Sequence, residues 1–285
     1  MVQLEPAGQV ESMRTPDGTA GEAHHRPVSN GDGPVTKALQ LLDVVADAAV
    51  PLRFSDLNGK LPFPKATLHR MLKSLVTERM LSHHPVHGTY QLGPRLIKLA
   101  HASWSHGSLQ DVSRPVLDAL HSQLQRTIHL AQLDDGQVLY LDKRVANHGP
   151  AMFSKPGKIG PGYCTGVGKA MLAFLPTSAL EEAIQQQTFR AHTPQTIVNP
   201  DALREELDTI RLRGFAFDRE EHEPGIICIA VPILSDDGQL FGAISATGPG
   251  SAAEVEELAA LAPALQQAAR HIASDATIRM APTLS

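Results

Sequence analysis

The stretch FSDLNGKLPFPKATLHRMLKSLVTERML, residues 54–81, holds two short helical patterns separated by a proline-containing turn. Ser55 is a suitable N-cap for the first helix, which residues 61–63 end. Pro64 suits the first position of the second helix, because the amide hydrogen that proline lacks would have no helical partner there. This layout is typical of a helix-turn-helix, whose second helix enters the major groove of DNA.

The start of the second predicted helix carries basic and hydroxyl-bearing side chains. Lys65 and Arg70 can reach base acceptors or phosphates, and Thr67 can donate to a phosphate or touch a thymine methyl group. Lys73 lies one turn further on and suits a backbone phosphate. We predict DNA contacts from five side chains: Lys65, Thr67, His69, Arg70 and Lys73.

Residues 81–92, LSHHPVHGTYQL, contain two short extended runs around a turn, which predicts a hairpin wing. His83, His84 and His87 lie in this wing, where they could contact DNA. They could also hold a metal ion, but no carboxylate or cysteine accompanies them, so we predict no metal site. The structural alternative for the whole segment is a three-helix bundle with solvated charges.

The formal net charge of −5 is distributed unevenly. Residues 33–100 hold nine Lys and Arg against four Asp and Glu, a net charge of +5, whereas residues 1–32 carry −3 and the remainder −7. A basic segment on an acidic body predicts one domain that meets phosphates and one that does not. The positive charge of residues 33–100 and the predicted wing therefore favour a DNA-binding helix-turn-helix over a three-helix bundle with solvated charges.

The 285 residues, 42% of them hydrophobic, are enough for two domains. Two cysteines cannot form a disulfide framework, which predicts a reduced, cytoplasmic setting. The N-terminus is polar and shows no signal peptide. No run approaches the roughly 18 apolar residues of a membrane helix, so we expect no membrane partner.

We divide the chain into five segments. Residues 1–33, rich in Gly, Pro, Ser and charge, predict a disordered tail. Residues 34–94 form the winged helix-turn-helix domain, and residues 95–108 form a linker helix. Alternating helices and antiparallel hairpins then predict an α+β domain over residues 109–275, followed by a tail at residues 276–285.

A glycine-rich segment, GPGYCTGVGK at residues 160–169, suggests a phosphate-binding loop. It does not meet the pattern, because Tyr163 stands where a glycine is required and Ala170 where a serine or threonine is required. Its glycines still allow close approach of the backbone to a ligand. The start of the following helix favours an anion.

Two further features of the second half invite a chemical interpretation. The acidic run DREEHEPG at residues 218–225 could bind a cation, although it lacks the spacing of a calcium loop and also suits a solvated loop. Cys228 could be a nucleophile with His222 as its base. Buried structural cysteines are commoner, and no nucleophile elbow precedes it, so we predict no catalytic residue.

Taken together, several spaced motifs resemble those of the IclR-type bacterial transcriptional regulators, from about residue 34 to residue 270. PKATLHRML is similar to the reading helix of that family, and TGVGKAMLAFLP to its effector-domain signature. The strongest similarity is in GFAFDREEHEPGIICIAVPIL, which GAISATGP follows.

The resemblance implies a GAF-like C-terminal domain that binds a small organic molecule, often a carboxylate. It also implies homodimers through the DNA-binding domains, commonly paired into homotetramers. Ser245 and Thr247 alternate along one strand, so both hydroxyls would face the same side. The family's ligand contacts fall on Gly166, Val167, Asp218, Cys228, Ser245 and Thr247, with Met152 as an apolar wall.

The sequence thus predicts a ligand-responsive regulator that needs no cofactor and binds a palindromic double-stranded operator. We expect a repressor of a catabolic operon controlled by a small organic acid, with activation as an alternative. The alternative from another class is a cysteine-dependent hydrolase with an accessory winged helix. A third possibility is a metabolite-binding module that no longer binds DNA, although the basic face of the reading helix is present.

Overall fold

The computed structural model describes residues 33–104, 108–146 and 152–280, so the tail predicted for residues 1–33 lies outside the described residues except for Gly33. Helices and a small sheet alternate in the first part. Its elements are α1 (Pro34–Ala46), β1 (Leu52–Arg53), α2 (Phe54–Lys60), α3 (Lys65–Thr77), β2 (Leu81–His84), β3 (Thr89–Leu92) and α4 (Pro94–Trp104).

The helix boundaries around the turn differ slightly from the expected ones. Arg53, not Ser55, precedes the first residue of α2, and its backbone N–H donates to the Asp56 carboxylate at 2.8 Å. Pro64 occupies the N-cap of α3 and not its first helical position. An acidic side chain in the first turn thus satisfies the start of α2, a role that the pattern had assigned to the serine hydroxyl.

The wing is an antiparallel sheet with strand order β1-β3-β2. The hairpin of β2 and β3 was expected, whereas β1 was not, because two residues are too short to show an alternating pattern. Leucines from α1, α2, α3 and β2 form most of a separate hydrophobic core. This core is built around Leu41, Leu57, Leu68, Leu72 and Leu81.

The linker helix α4 begins at Pro94, one residue before the predicted start. Its first turn is tied to the end of α3, because Arg95 forms an ion pair with Glu78 and also donates to the Glu78 carbonyl. This pair is largely exposed, so its contribution to stability is small.

The second part is a six-stranded antiparallel sheet with helices on both faces; the strand order is β6-β5-β4-β9-β8-β7. Its helices are α5 (Leu109–Leu124), α6 (Gly166–Leu172), α7 (Thr177–Gln185), α8 (Pro200–Arg213) and α9 (Ala262–Met280), with a 3₁₀ helix at Ala252–Leu261. Its strands are β4 (Thr127–Asp134), β5 (Gln137–Arg144), β6 (Ile159–Gly160), β7 (Ala216–Arg219), β8 (Ile226–Leu234) and β9 (Leu240–Pro249).

Turn and cap residues account for several of these elements. Asp135 and Gly136 both have positive φ angles, 52° and 75°, which matches a turn that continues the twist of the β4–β5 hairpin. The Asn199 side chain caps α8 by accepting from the Ala202 amide at 2.8 Å, and Gly214 ends it with φ of 79°.

Each face of the sheet has its own hydrophobic core. Residues of α5, α9 and the 3₁₀ helix pack on one face against alternate residues of β4, β8 and β9. Residues of α6, α7 and α8 pack on the other face. Helix α9 continues to Met280, so the first residues of the segment predicted as a tail from residue 276 are helical, and Ala276 is buried.

The predicted α+β fold class is confirmed: an N-terminal helix-turn-helix domain precedes a C-terminal domain with an antiparallel sheet and helices. Among the helices of the described ranges, none combines the length and apolar character that a membrane span requires.

Candidate functional site

The outward face of α3 carries four of the five predicted DNA contacts. Lys65, His69, Arg70 and Lys73 are exposed, whereas Thr67 is half-buried. The opposite face of α3 is anchored by leucines of the domain core, which are Leu68, Leu72 and Leu75. The hydrophobic period of α3 therefore determines which side chains remain available to a partner.

A groove runs between α3 and the wing. Arg70, Lys73 and Thr77 line it from the helix, and His83 and Tyr90 line it from the strands. The sequence did not single out Thr77 or Tyr90, because their place depends on how the wing packs against the helix.

His69 differs from the other predicted contacts. Its ring stacks on Phe54 with the centroids 4.0 Å apart and the planes 18° apart. This contact packs the imidazole against α2, and His69 also lines the groove between α3 and the wing.

A small cavity of about 30 Å³ lies beside α6, on the face of the second sheet that α6 covers. All seven residues predicted as effector contacts line it: Met152, Gly166, Val167, Asp218, Cys228, Ser245 and Thr247. Seven others complete the wall: His129, Tyr140, Ser154, Thr165, His222, Glu223 and Ile226. Residues far apart in sequence thus meet in one place.

Strand pairing places the polar residues in rows. Asp218 on β7 pairs with Cys228 on β8, which pairs with Thr247 on β9. In a neighbouring row, Ser245 pairs with His129 on β4. Since alternate residues of a strand point to the same face, these side chains converge on the cavity while their neighbours fill the opposite core.

The start of α6 closes the cavity from the other side. The Thr165 hydroxyl caps the helix by accepting from the Gly168 amide at 3.2 Å, and it donates to the Pro161 carbonyl at 2.8 Å. A Cβ at Gly166 would lie 2.4 Å from the Cys228 sulfur, so only glycine lets the helix approach β8 this closely. The amides of Gly166 and Val167 have no acceptor within the helix itself.

His129 is the most densely bonded side chain of the cavity. Its Nε2 lies 2.7 Å from the Ser154 hydroxyl, and its Nδ1 lies 3.3 Å from the hydroxyls of both Ser245 and Thr247. Burial, and then the nearby charge of Lys143, lowers the pKa of His129 to about 3. The imidazole is therefore neutral at physiological pH, with one donor and one acceptor nitrogen.

A buried group of charges lies behind the cavity. Burial, and then repulsion from Glu221, raises the pKa of Asp218 to about 8, so this carboxyl is protonated near neutral pH. Lys169 is fully buried and pairs with Glu221 at 2.5 Å and with Glu206 at 3.6 Å. Burial lowers the Lys169 pKa, but the two glutamates outweigh it and the net shift is upward.

The cysteine chemistry considered from the sequence is disfavoured by this environment. Burial, and then the proximity of Asp218, raises the pKa of the Cys228 thiol well above its usual range. A protonated thiol is a poor nucleophile. Cys228 therefore contributes packing and a weakly polar surface to the cavity.

Part of the acidic run at residues 218–225, which suggested a cation site, lies in the wall of the cavity. Glu223 accepts from the Phe153 amide at 3.0 Å, and Glu221 is paired with Lys169. Within the described ranges, no group of His, Cys, Asp or Glu side chains has an arrangement that could hold a metal ion. In the wing, the rings of His84 and His87 stack with centroids 4.6 Å apart.

Two family models match the chain. The one described as the IclR helix-turn-helix domain covers residues 34–85, and the one described as the bacterial transcriptional regulator IclR C-terminal covers residues 101–274. The chain belongs to the IclR family. The resemblance inferred from the sequence motifs is confirmed, and so is the assignment as a transcriptional regulator and not an enzyme.

Individual relatives support this assignment. The chain is 30% identical over 234 residues to the HTH-type transcriptional regulator XynR of Escherichia coli, covering 82% of this chain and 93% of XynR. It is 28% identical over 217 residues to the transcriptional repressor IclR of the same species, covering 75% and 79% of the two chains.

A solved structure shows the same fold. It is an IclR homologue from Microbacterium hydrocarbonoxydans complexed with 4-hydroxybenzoate. The TM-score is 0.74 at 23% identity, over 86% of this chain and all of that one.

Proposed function

We propose that this IclR-family protein represses transcription by occupying a palindromic operator and that a small organic acid in the cavity beside α6 controls its occupancy. One observation carries the ligand half of the proposal. Seven residues from five separate segments of chain converge on one cavity that combines hydroxyls, a carboxyl and an apolar wall.

The DNA half rests on α3. Arg70 and Lys73 project from the side opposite its buried leucines and line a groove shared with the wing. An arginine on the outward face of such a helix can form a bidentate contact with guanine. A symmetric pair of copies would present two such helices to half-sites one helical turn, or a multiple, apart.

The cavity suits a carboxylate that has an apolar portion. The hydroxyls of Ser245 and Thr247 and the protonated Asp218 can donate to carboxylate oxygens. Met152 and Val167 offer an apolar surface beside these donors. A homologue of the same fold was solved in complex with 4-hydroxybenzoate, itself an aromatic carboxylate.

Repression is the favoured sign of control. A relative with 28% identity is named as a transcriptional repressor. Blocking a promoter requires only that the protein occupies the operator. A DNA-binding domain and a ligand-binding domain are therefore sufficient for regulated repression. A ligand regulates occupancy of the operator only if it has different affinities for two conformations, one that binds DNA and one that does not.

The operator is tested by retaining sheared genomic DNA of the source organism on the full chain at roughly physiological salt and sequencing it. Low salt would inflate binding through phosphate contacts alone. We expect a few enriched sites with inverted repeats that overlap promoters. Uniform retention of all DNA would contradict sequence-specific binding. If deletion of the gene for this protein lowered transcription from promoters downstream of the enriched sites, the protein would be an activator.

The cavity is tested with Asp218→Ala on an enriched operator, using small organic acids from the pathways encoded next to it. The variant should keep operator affinity but lose release by the acid to which the wild type responds. Asp201→Ala, with a side chain 92% exposed on α8, is the control. A normal response of Asp218→Ala would place the ligand elsewhere.

A further inference from the structure

A line of hydrogen bonds enters the cavity wall from the protein surface. The Lys143 ammonium on β5 donates to the Ser154 carbonyl at 2.8 Å and to the Ser154 hydroxyl at 3.2 Å. That hydroxyl lies 2.7 Å from His129 Nε2. On the other side of the ring, Nδ1 lies 3.3 Å from the hydroxyls of Ser245 and Thr247.

The direction of each bond follows from its first member. An ammonium has three donors and no acceptor, so the Ser154 oxygen must accept from Lys143. The single hydroxyl proton of Ser154 can then point at His129, and 2.7 Å is a usual length for a hydroxyl donor and the short end of the range for a ring N–H donor. This arrangement favours Nε2 as the acceptor, and in a neutral ring Nδ1 then carries the proton.

A proton on Nδ1 determines what the next two hydroxyls can do. Ser245 and Thr247 then accept from the imidazole ring, so their hydroxyl hydrogens take no part in the hydrogen bonds to His129. Their oxygens lie 3.4 Å apart, so one can donate to the other, and the second hydrogen is left for the cavity, which the Cys228 sulfur beside Thr247 also lines. With the opposite tautomer, a hydroxyl would instead donate to His129.

We propose that Lys143 and Ser154 are positioning residues that hold His129 in the Nδ1–H tautomer, so that Ser245 and Thr247 present a hydroxyl hydrogen to an anionic group in the cavity. This inference rests on the proposed role of the cavity as an effector site. It assigns the selection of carboxylates over amides to a residue that touches no ligand. Lys143 acts at a distance, through the order of donors and acceptors.

The test is the tautomer of His129, read from the ring-nitrogen shifts of the full chain labelled with ¹⁵N-histidine, without ligand or DNA. His129→Gln identifies the resonances. We expect an unprotonated Nε2 and a protonated Nδ1. Lys143→Met should shift protonation toward Nε2, because Ser154 then loses its obligatory donor.

Lys155→Met is the matched control, since it removes the same charge from an exposed position near Lys143. It should leave the tautomer unchanged. A proton on Nε2 in the wild type, or an unchanged tautomer in Lys143→Met, would overturn the proposal. An equal shift in Lys155→Met would also overturn it, since charge alone would then suffice.

The anion is tested by titrating the labelled chain with formate and with formamide, which has a similar size but no charge. Formate should shift the His129 Nδ1 resonance several-fold more than formamide, and Lys143→Met should remove that preference. Equal shifts, or none with either probe, would overturn the anion assignment. Failure of the proposed function would instead appear as loss of specific operator retention, which leaves the tautomer measurement unaffected.

Discussion

At the scale of single residues, the guanidinium of Arg70 is the side chain best placed to read a base, because it lies on the outward face of α3 and lines the groove to the wing. Arg70→Ala should weaken operator binding by about 1–3 kcal/mol and relax base preference at one position. Fluorescence anisotropy with operator fragments measures both. Arg114→Ala, which removes an exposed arginine from α5, is the control.

The contrary outcome for Arg70 is equally specific. If Arg70→Ala loses affinity uniformly over all sequences and its salt slope falls by about one, the side chain contacts phosphate and not a base.

The protonated carboxyl of Asp218 makes folding stability depend on pH. Its pKa rises from 3.8 in the unfolded chain to about 8 in the fold, so the folded protein holds a proton that the unfolded chain releases. This contribution is complete below about pH 4 and is lost as the pH rises toward about 8, at up to about 1.4 kcal/mol per pH unit.

Asp218→Asn should flatten that dependence, since an amide does not titrate and can still accept from the Glu221 amide, as Asp218 does at 2.8 Å. Urea unfolding between about pH 5 and about pH 8 measures the slope. Asp208→Asn, at a side chain 70% exposed, should retain the slope of the wild type. An unchanged slope in Asp218→Asn would mean that the carboxyl is ionised in the fold.

The sequence indicated part of this site. Asp218, Cys228, Ser245 and Thr247 were found because the family motifs around them are long. His129 was not, because its strand lacks such a motif and its role depends on pairing with Ser245, 116 residues away. The register of two strands is a property of the folded sheet, and a local pattern does not contain it.

At the scale of elements, the closest approach of α6 to β8 is at Gly166. Gly166→Ala should destabilise the protein by about 1–3 kcal/mol, because the added methyl group would meet the Cys228 sulfur. Gly59→Ala in α2 has open space around it and should instead stabilise by about 0.5–1 kcal/mol. Thermal unfolding of both variants measures the difference.

The contact between residues 166 and 228 can also be tested with a double variant. Adding Cys228→Ala to Gly166→Ala removes the atom that the methyl group meets, so the double variant should lose less stability than the sum of the two single variants. Strict additivity would show that the two elements do not meet as described.

Some elements carry chemical signals at their ends that a sequence alone displays. Asn199 and Gly214 mark the ends of α8, and the Asp135-Gly136 turn marks the β4–β5 hairpin. The strands β1 and β6 were missed because each has two residues and is recognisable only by its partner. The last helix was not predicted, and it includes the first residues of the segment assigned to a tail.

At the scale of the whole molecule, a symmetric operator requires two copies to bind together. Scrambling one half-site of an enriched inverted repeat should weaken binding at least about tenfold. Scrambling the same number of bases outside both half-sites is the control. Equal affinity for the intact and the half-scrambled site would show that one copy binds alone.

The size of the cavity has a consequence for how fast a cell could respond. At about 30 Å³ the space is far below the roughly 300 Å³ of ordinary ligand pockets, so we expect its wall to move outward when an organic acid binds. The segment that includes Phe153 and Ser154 is fastened by Glu223 on one side and by Lys143 on the other. Stopped-flow binding should therefore reach a plateau at high ligand concentration, and the plateau is the opening rate. Glu223→Gln should raise that plateau, because the hydrogen bond from the Phe153 amide to residue 223 is then weaker. This hydrogen bond would thus set how fast the protein responds to its ligand.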